Sequence, residues 1–166
     1  MSTLYPVALV LHVLAAMIWV GGVLFFAVVA VPVSRALPPE LRRDVVTRLG
    51  ERFRPVGWAA LAVLVATGLI FLWRWGASPA NLLDLSFFST PHTRLLGYKL
   101  LAVTTMLPLS FVHDWALGPR ASRATPGSEE AERLRRVASL MGRTTGALVL
   151  VIVLLAVFIA RPSLLA

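Results

Sequence analysis

Residues 4–33 read LYPVALVLHVLAAMIWVGGVLFFAVVAVPV and contain no Asp, Glu, Lys or Arg. About 20 apolar residues are enough for a helix to cross the hydrocarbon core of a bilayer, so this stretch can cross it with tilt. It is too long for a secretory signal peptide, and no basic segment precedes it. The stretch therefore predicts a transmembrane helix that stays in the protein.

Three further apolar stretches follow, at about residues 55–75, 94–113 and 143–160. The chain of 166 residues is 58% apolar and 14% charged, with a mean hydropathy of +0.80. A soluble domain has about 45–50% apolar and 25% charged residues, and one this small leaves much of its surface exposed. The sequence predicts a single all-α transmembrane domain, a four-helix bundle surrounded by lipid.

Basic residues are concentrated in the two segments that connect the first stretch to the second and the third to the fourth. Residues 34–54 hold six Arg and residues 114–143 hold six more, out of 16 Lys and Arg in the chain. Such an excess marks cytoplasmic loops, so both termini are expected outside. Residues 34–54 also show apolar positions at helical spacing, which predicts a short amphipathic helix at the membrane interface. The net charge of +8 is thus an orientation signal, and nucleic acid is not an expected partner.

Few polar residues lie in the apolar stretches, and polar groups inside a membrane are costly enough to be candidates for function. From the helical rise, His12 is expected roughly 12 Å below the outer end of the first helix, and Lys99 roughly 8 Å below that of the third. His92 is expected in a loop just before the third helix, either as a structural residue or as a ligand. The three side chains are candidates for one cluster in the outer half of the membrane.

His12 is the strongest candidate ligand, because a neutral imidazole binds metal ions well. Its helix face carries Ala8, Ala15, Ala16 and Trp19, which would leave room for a flat cofactor or for a neighbouring helix. The alternative is a buried His bonded to a backbone carbonyl, with the alanines serving helix packing.

Lys99 is the only lysine, and within a span it must snorkel to the interface, pair with an anion or lose its proton. His113 is expected near the cytoplasmic face, roughly 28 Å from the outer end of the third helix. There it marks either a helix end or a second, inner metal site. The chain has no Cys, which excludes disulfides, thiolate metal sites and Cys nucleophiles. We find no nucleotide motif, nucleophile elbow or carboxylate pair.

Several short segments of the chain resemble the CopD-like membrane proteins, a family associated with copper uptake across the inner membrane. They are Leu11–Gly22 in the first helix, Arg52-Phe53, Thr67-Gly68-Leu69, Arg94–Leu101 and Ala160-Arg161-Pro162. The chain is also similar to the HemJ-type protoporphyrinogen oxidases, which bind haem b and have a functional His in the first helix and a Lys in the third. His12 and Lys99 match those positions, but the His that ends the first helix in that family is absent.

Three functions compete, and HemJ-like protoporphyrinogen oxidation is a further alternative that the second resemblance implies. In the first, haem b binds in the outer half through His12, with Lys99 or His92 as the second ligand or as the partner of a haem propionate, and with Trp19 also at the site. The protein then passes electrons, as a membrane haem oxidoreductase, to a quinone or another membrane redox partner. In the second, it binds or takes up copper, with His12 and His113 as metal ligands, although Cu(I) prefers thiolate or thioether. The third is a scaffold without a cofactor. A multi-pass protein of the bacterial inner membrane is expected, and homo-oligomerisation is left open.

Overall fold

The computed structural model describes residues 4–125, 127–161 and 163, and this part of the chain is helical without strands. The long helices are α1 (Leu4–Ser34) and α2 (Pro39–Arg74), followed after the short α3 (Pro79–Leu83) and a 3-10 turn (Leu85–Phe88) by α4 (Pro91–Arg123) and α5 (Glu129–Ala160). All four are long and apolar enough to cross a membrane, which confirms the predicted all-α membrane fold. The chain divides into two compact units between Leu83 and Asp84, each built on a helical hairpin.

The first hairpin is closed by an arginine at the turn between α1 and α2. Arg42 Nε donates to the carbonyl oxygen of Ser34 at 3.1 Å, and its Nη2 donates to that of Arg35, also at 3.1 Å. The last carbonyls of a helix have no partner within the helix, so a guanidinium there satisfies two of them. The buried Ser34 hydroxyl donates to the Val31 carbonyl at 2.8 Å. These bonds turn the chain back, so that α2 runs antiparallel to α1.

The predicted short amphipathic helix of residues 34–54 is not a separate element: residues 39–54 are helical and continuous with the second span. Pro55 lies inside α2 and has no amide hydrogen to donate to the Glu51 carbonyl. The helix nevertheless continues through Pro55 to Arg74. The exposed pair of Asp44 and Arg48, one turn apart at 2.8 Å, adds only a little stability to its polar half.

Helix α5 begins at Glu129, about four turns before the predicted start of the fourth span. The hydroxyl of Ser128 accepts a hydrogen bond from the Ala131 amide at 3.1 Å and caps the helix. The first turn carries three acids, Glu129, Glu130 and Glu132, which the positive end of the helix dipole favours. The cap and the acids therefore extend the helix beyond its apolar part.

Helix α4 begins at Pro91, so His92 lies in its first turn and not in a preceding loop as predicted. Thr90 is the N-cap, with its hydroxyl accepting from the Thr93 amide at 3.2 Å, and Pro91 occupies the first helical position. Proline suits that position because its missing amide hydrogen would have no partner there.

Helices α1 and α4 each contain a wider π-helical segment, Phe26–Ala30 in α1 and Val112–Leu117 in α4. Each segment ends two residues before a proline, Pro32 or Pro119. A proline ring clashes with the carbonyl four residues back, and in both cases that carbonyl lies within the π segment. The wider turn relieves the clash without ending the helix, so α4 continues to Arg123, past its predicted end at about residue 113, whereas α1 ends at Ser34, close to its predicted end.

The segment between the hairpins contains the short helix α3 and a 3-10 turn. Gly76, with φ of 72°, ends α2 in the left-handed conformation, and the Ala77 amide donates back to the Leu72 carbonyl at 3.0 Å. After α3, hydrogen bonds from the hydroxyl and then the amide of Ser86 lower the pKa of the Asp84 carboxyl. Asp84 therefore stays ionised at a lower pH than an ordinary aspartate.

The orientation of the helices leads to the first testable prediction. Reporter fusions at Pro38, in the α1–α2 turn, and at Gly127, in the α4–α5 turn, should report the cytoplasm. A fusion after Ala166 should report the outer side, because the Arg-rich segments favour the inner side. Alkaline phosphatase and fluorescent-protein fusions in cells measure this. The reverse pattern would place His12 and Lys99 in the cytoplasmic half.

Candidate functional site

His12 lies in the packed face of the first hairpin, where its imidazole contacts two residues of α2. Its Nδ1 lies 2.7 Å from the hydroxyl oxygen of Thr67. Its ring centroid lies 5.2 Å from that of Phe71, with the planes tilted by 59°. His12 is half-buried, with the Nδ1 edge of its imidazole held against α2.

Thr67 is the buried hydroxyl that holds this imidazole. Its side chain is 4% exposed, and its hydroxyl donates to the carbonyl oxygen of Val63 at 2.6 Å, with the Leu64 carbonyl further away at 3.3 Å. Threonines in transmembrane helices commonly make this bond to the preceding turn. The result is a chain of polar groups that runs from the α2 backbone through Thr67 to His12.

The side chains beside His12 that were expected to leave room for a flat cofactor or for a neighbouring helix are largely buried in the first hairpin. Ala8 is 2% exposed, Ala15 is 5% exposed and Trp19 is 6% exposed. Small residues let helix backbones approach closely in a membrane. The packing alternative therefore describes this face, and a role for Trp19 against a cofactor stays a prediction.

Aromatic contacts continue from His12 to the end of the hairpin where α2 finishes. Phe71 also contacts Tyr5 edge-on, with 5.5 Å between ring centroids. The Arg74 guanidinium lies over the Tyr5 ring at 4.9 Å from its centroid, a cation–π contact. Sequence reasoning missed Tyr5 and Phe71 as partners of Arg74 and His12.

Lys99 and His92 belong to α4 in the second unit. Lys99 is half-buried, and among the residues the structure describes it has neither a hydrogen bond nor an ion pair. His92 is also half-buried, in the first turn of the helix. His12 belongs to the other unit, so the expected outer cluster of the three residues stays a prediction.

His113 lies in the π segment of α4 and is paired with its neighbour. Its Nδ1 is 3.0 Å from Oδ1 of Asp114, and the two side chains are 38% and 33% exposed. Its Nε2 lies 3.9 Å from where a Cβ on Gly142 of α5 would be. One turn before His113, the buried Ser110 hydroxyl donates to the thioether of Met106 at 3.4 Å. π segments occur frequently at functional sites, so this pair remains a candidate.

No three side chains of His, Cys, Asp or Glu within residues 4–125, 127–161 and 163 come together in a way that could hold a metal ion. Each imidazole of the first or second hairpin therefore has at most one such neighbour, as His113 has in Asp114.

An apolar groove of 520 Å³ opens on the first hairpin and does not include His12. Gly22 narrows α1 there, because a Cβ at this position would overlap the ring of Phe53 on α2. The lining has one charged residue, Arg52. The full lining is Met17, Ile18, Gly21, Gly22, Phe25, Phe26, Leu49, Arg52, Phe53 and Val56.

The copper resistance protein D (CopD) family matches residues 47–159, more than half of the chain. This chain belongs to that family. It is similar to an uncharacterized protein of Aquifex aeolicus (strain VF5), with 32% identity over 114 residues that cover 68% of this chain and 70% of the relative. No solved structure matches it. The CopD protein is thus a multi-pass membrane protein of a copper-resistance family, in contact with lipid through four spans.

The family match contains some candidate residues and omits others. It begins within α2, so that Thr67, Lys99 and His113 lie inside it, whereas His12 and Trp19 lie before it. The support for a role of His12 therefore comes from its contacts with α2, and not from the family match.

Proposed function

We propose that this CopD protein binds copper ions as cargo within the membrane and that His12 is a copper ligand. The observation that carries the proposal is the imidazole of His12, held at 2.7 Å on a buried hydroxyl inside the first hairpin. Imidazole is a suitable ligand for copper. An imidazole already oriented by a second residue binds a metal ion without first losing rotational freedom. The choice of copper as the metal rests on membership of the copper resistance protein D family.

The packing around His12 supports an ion better than haem b. A porphyrin needs a flat cavity beside its axial ligand, and small residues on the His12 face are compatible either with such a cavity or with a neighbouring helix. Ala8 and Ala15 are buried, and the groove on this hairpin does not reach His12. The residues of the first hairpin therefore do not fit a haem. A single ion needs far less room than a porphyrin does.

Haem binding, electron transfer to a quinone and HemJ-like porphyrinogen oxidation stay predictions of the sequence. Each would require the first hairpin to admit a large planar molecule next to His12. Their common spectroscopic sign is a Soret band, which a bound copper ion alone does not produce.

The second testable prediction concerns the purified protein. In detergent, loaded with Cu(I) under reducing conditions and dialysed, it should retain copper near one ion per chain and show no Soret band. Metal analysis and competition with a chromophoric Cu(I) chelator measure the stoichiometry and affinity. A Soret band in the protein as isolated, together with copper far below one per chain, would replace copper with haem. Loss of all copper on dialysis, with no Soret band, would leave the scaffold function.

A further inference from the structure

We infer that Thr67 is a positioning residue, which fixes His12 in the tautomer with its proton on Nδ1 and so presents the Nε2 lone pair to an incoming ion. The tautomer follows from the geometry of the first hairpin alone. The part that concerns the ion rests on the proposed function.

The proton count at Thr67 decides the tautomer. A hydroxyl has one proton to donate, and the Thr67 oxygen makes two short contacts, 2.6 Å to the Val63 carbonyl and 2.7 Å to His12 Nδ1. A carbonyl can only accept, so the bond to Val63 uses the hydroxyl proton. The contact with Nδ1 then needs a proton from the imidazole. His12 therefore donates from Nδ1, and in the neutral ring Nε2 has no proton.

The reverse assignment leaves one contact without a proton. If the hydroxyl donated to Nδ1, the Thr67 oxygen and the Val63 carbonyl oxygen would lie 2.6 Å apart with no hydrogen between them. Thr67 is 4% exposed, so there is little access for water to separate the two oxygens. An unsatisfied polar group within a membrane span costs several kcal/mol. With His12 as donor, the Val63 carbonyl oxygen, the Thr67 hydroxyl and the His12 Nδ1 each have a hydrogen-bond partner.

A fixed Nδ1 proton gives Nε2 the form that metal ions bind. Metal-ligating histidines usually donate their other ring N–H to an oxygen, which sets the tautomer, holds the ring and makes the ligand more basic. Loss of such an outer partner typically lowers metal affinity about 10–100-fold. Thr67 has the position of this partner, and it lies 55 residues from His12 in the sequence, on the opposite helix.

The experiment compares the wild type with Thr67→Val and Thr67→Ser, and the tautomer is measured on copper-free protein. Nitrogen-15 NMR of the copper-free wild type, with the His12 signals assigned through His12→Gln, should show Nδ1 protonated and Nε2 bare. Thr67→Val keeps the shape and removes the hydroxyl, so it should give a mixture of tautomers and about 10–100-fold weaker copper binding. Thr67→Ser keeps the hydroxyl and should restore both the tautomer and the affinity to within a few-fold.

The outcomes separate the inference from the proposed function. A wild type with Nε2 protonated would overturn the inference, and this measurement needs no variant to fold. Equal behaviour of Thr67→Ser and Thr67→Val in the NMR spectrum would also overturn it, since the hydroxyl would then not set the tautomer. The inferred tautomer and its response to Thr67→Val, in a protein that binds no copper, would support the role of Thr67 and reject copper as the ion.

Discussion

His12→Ala is expected to abolish copper binding while the protein stays folded in the membrane. Removal of a ligand should lower the affinity by more than the roughly 10–100-fold that follows loss of an outer partner. Alanine has the best helix propensity, so α1 should persist. The lost bond to Thr67 costs on the order of 1 kcal/mol of stability. A competition titration with a Cu(I) chelator measures the affinity, and size-exclusion chromatography with thermal unfolding checks the fold.

Two other histidines serve as matched controls for this variant. His92→Ala and His113→Ala remove an imidazole from α4, and on the proposed function both should bind copper as the wild type does. Lys99→Met removes the half-buried ammonium in the same helix and tests its role in the same titration. Wild-type stoichiometry in His12→Ala would reject His12 as the ligand. Loss of binding in His113→Ala alone would move the site to the His113–Asp114 pair.

Gly22→Ala should destabilise the first hairpin, whereas Gly21→Ala should not. A Cβ at Gly22 would overlap the Phe53 ring, whereas one at Gly21 would meet nothing within 4 Å. The ring is bounded by Gly57 of its own helix and by the Phe26 ring at 5.7 Å, so it can yield only towards the groove that it lines. Forcing an extra methyl group into such a contact typically costs about 1–3 kcal/mol.

The pair of glycines makes this comparison well controlled. Both substitutions add one methyl group to adjacent positions of α1, so differences in insertion and composition cancel. Gly21→Ala should be neutral or should stabilise the helix by up to about 1 kcal/mol, through its better helix propensity. Unfolding in mixed micelles, followed by circular dichroism, gives the free energy of each variant. Equal stabilities would show that Gly22 and Phe53 are not in close contact in the membrane.

The four membrane spans were predictable, because 20 or more apolar residues have few other stable solutions. The helix ends were less so, since they depend on single side chains. Ser128 and Thr90 are both standard N-cap residues, and weighing them would have moved α5 and α4 to their observed starts. Whether α2 continues through Pro55, and where α1 and α4 widen into π segments, depends on packing and on backbone adjustment. Local helix propensity does not predict either.

His12 could be predicted as a candidate because it is a polar group in a long apolar helix. The orientation of the imidazole could not be predicted, since Thr67, the residue that fixes it, lies on the opposite helix of the hairpin. Thr67 was visible only as part of a short family-like motif, and a threonine in a span carries a weak signal by itself. The choice between a cofactor and a neighbouring helix beside Ala8 and Ala15 could not be made from the sequence for a related reason. Small residues favour either a ligand or a close helix, and only the position of the neighbouring chain decides between them.

The hairpin that holds His12 has a consequence for how the protein is made. The imidazole, its hydroxyl partner and the Gly22–Phe53 contact all lie before Leu83, within the first compact unit. Ribosomes add about 5–20 residues per second, so the remaining half of the chain takes roughly 4–17 s to synthesise. The local contacts of the candidate site can therefore assemble during translation, before the second pair of spans has left the ribosome.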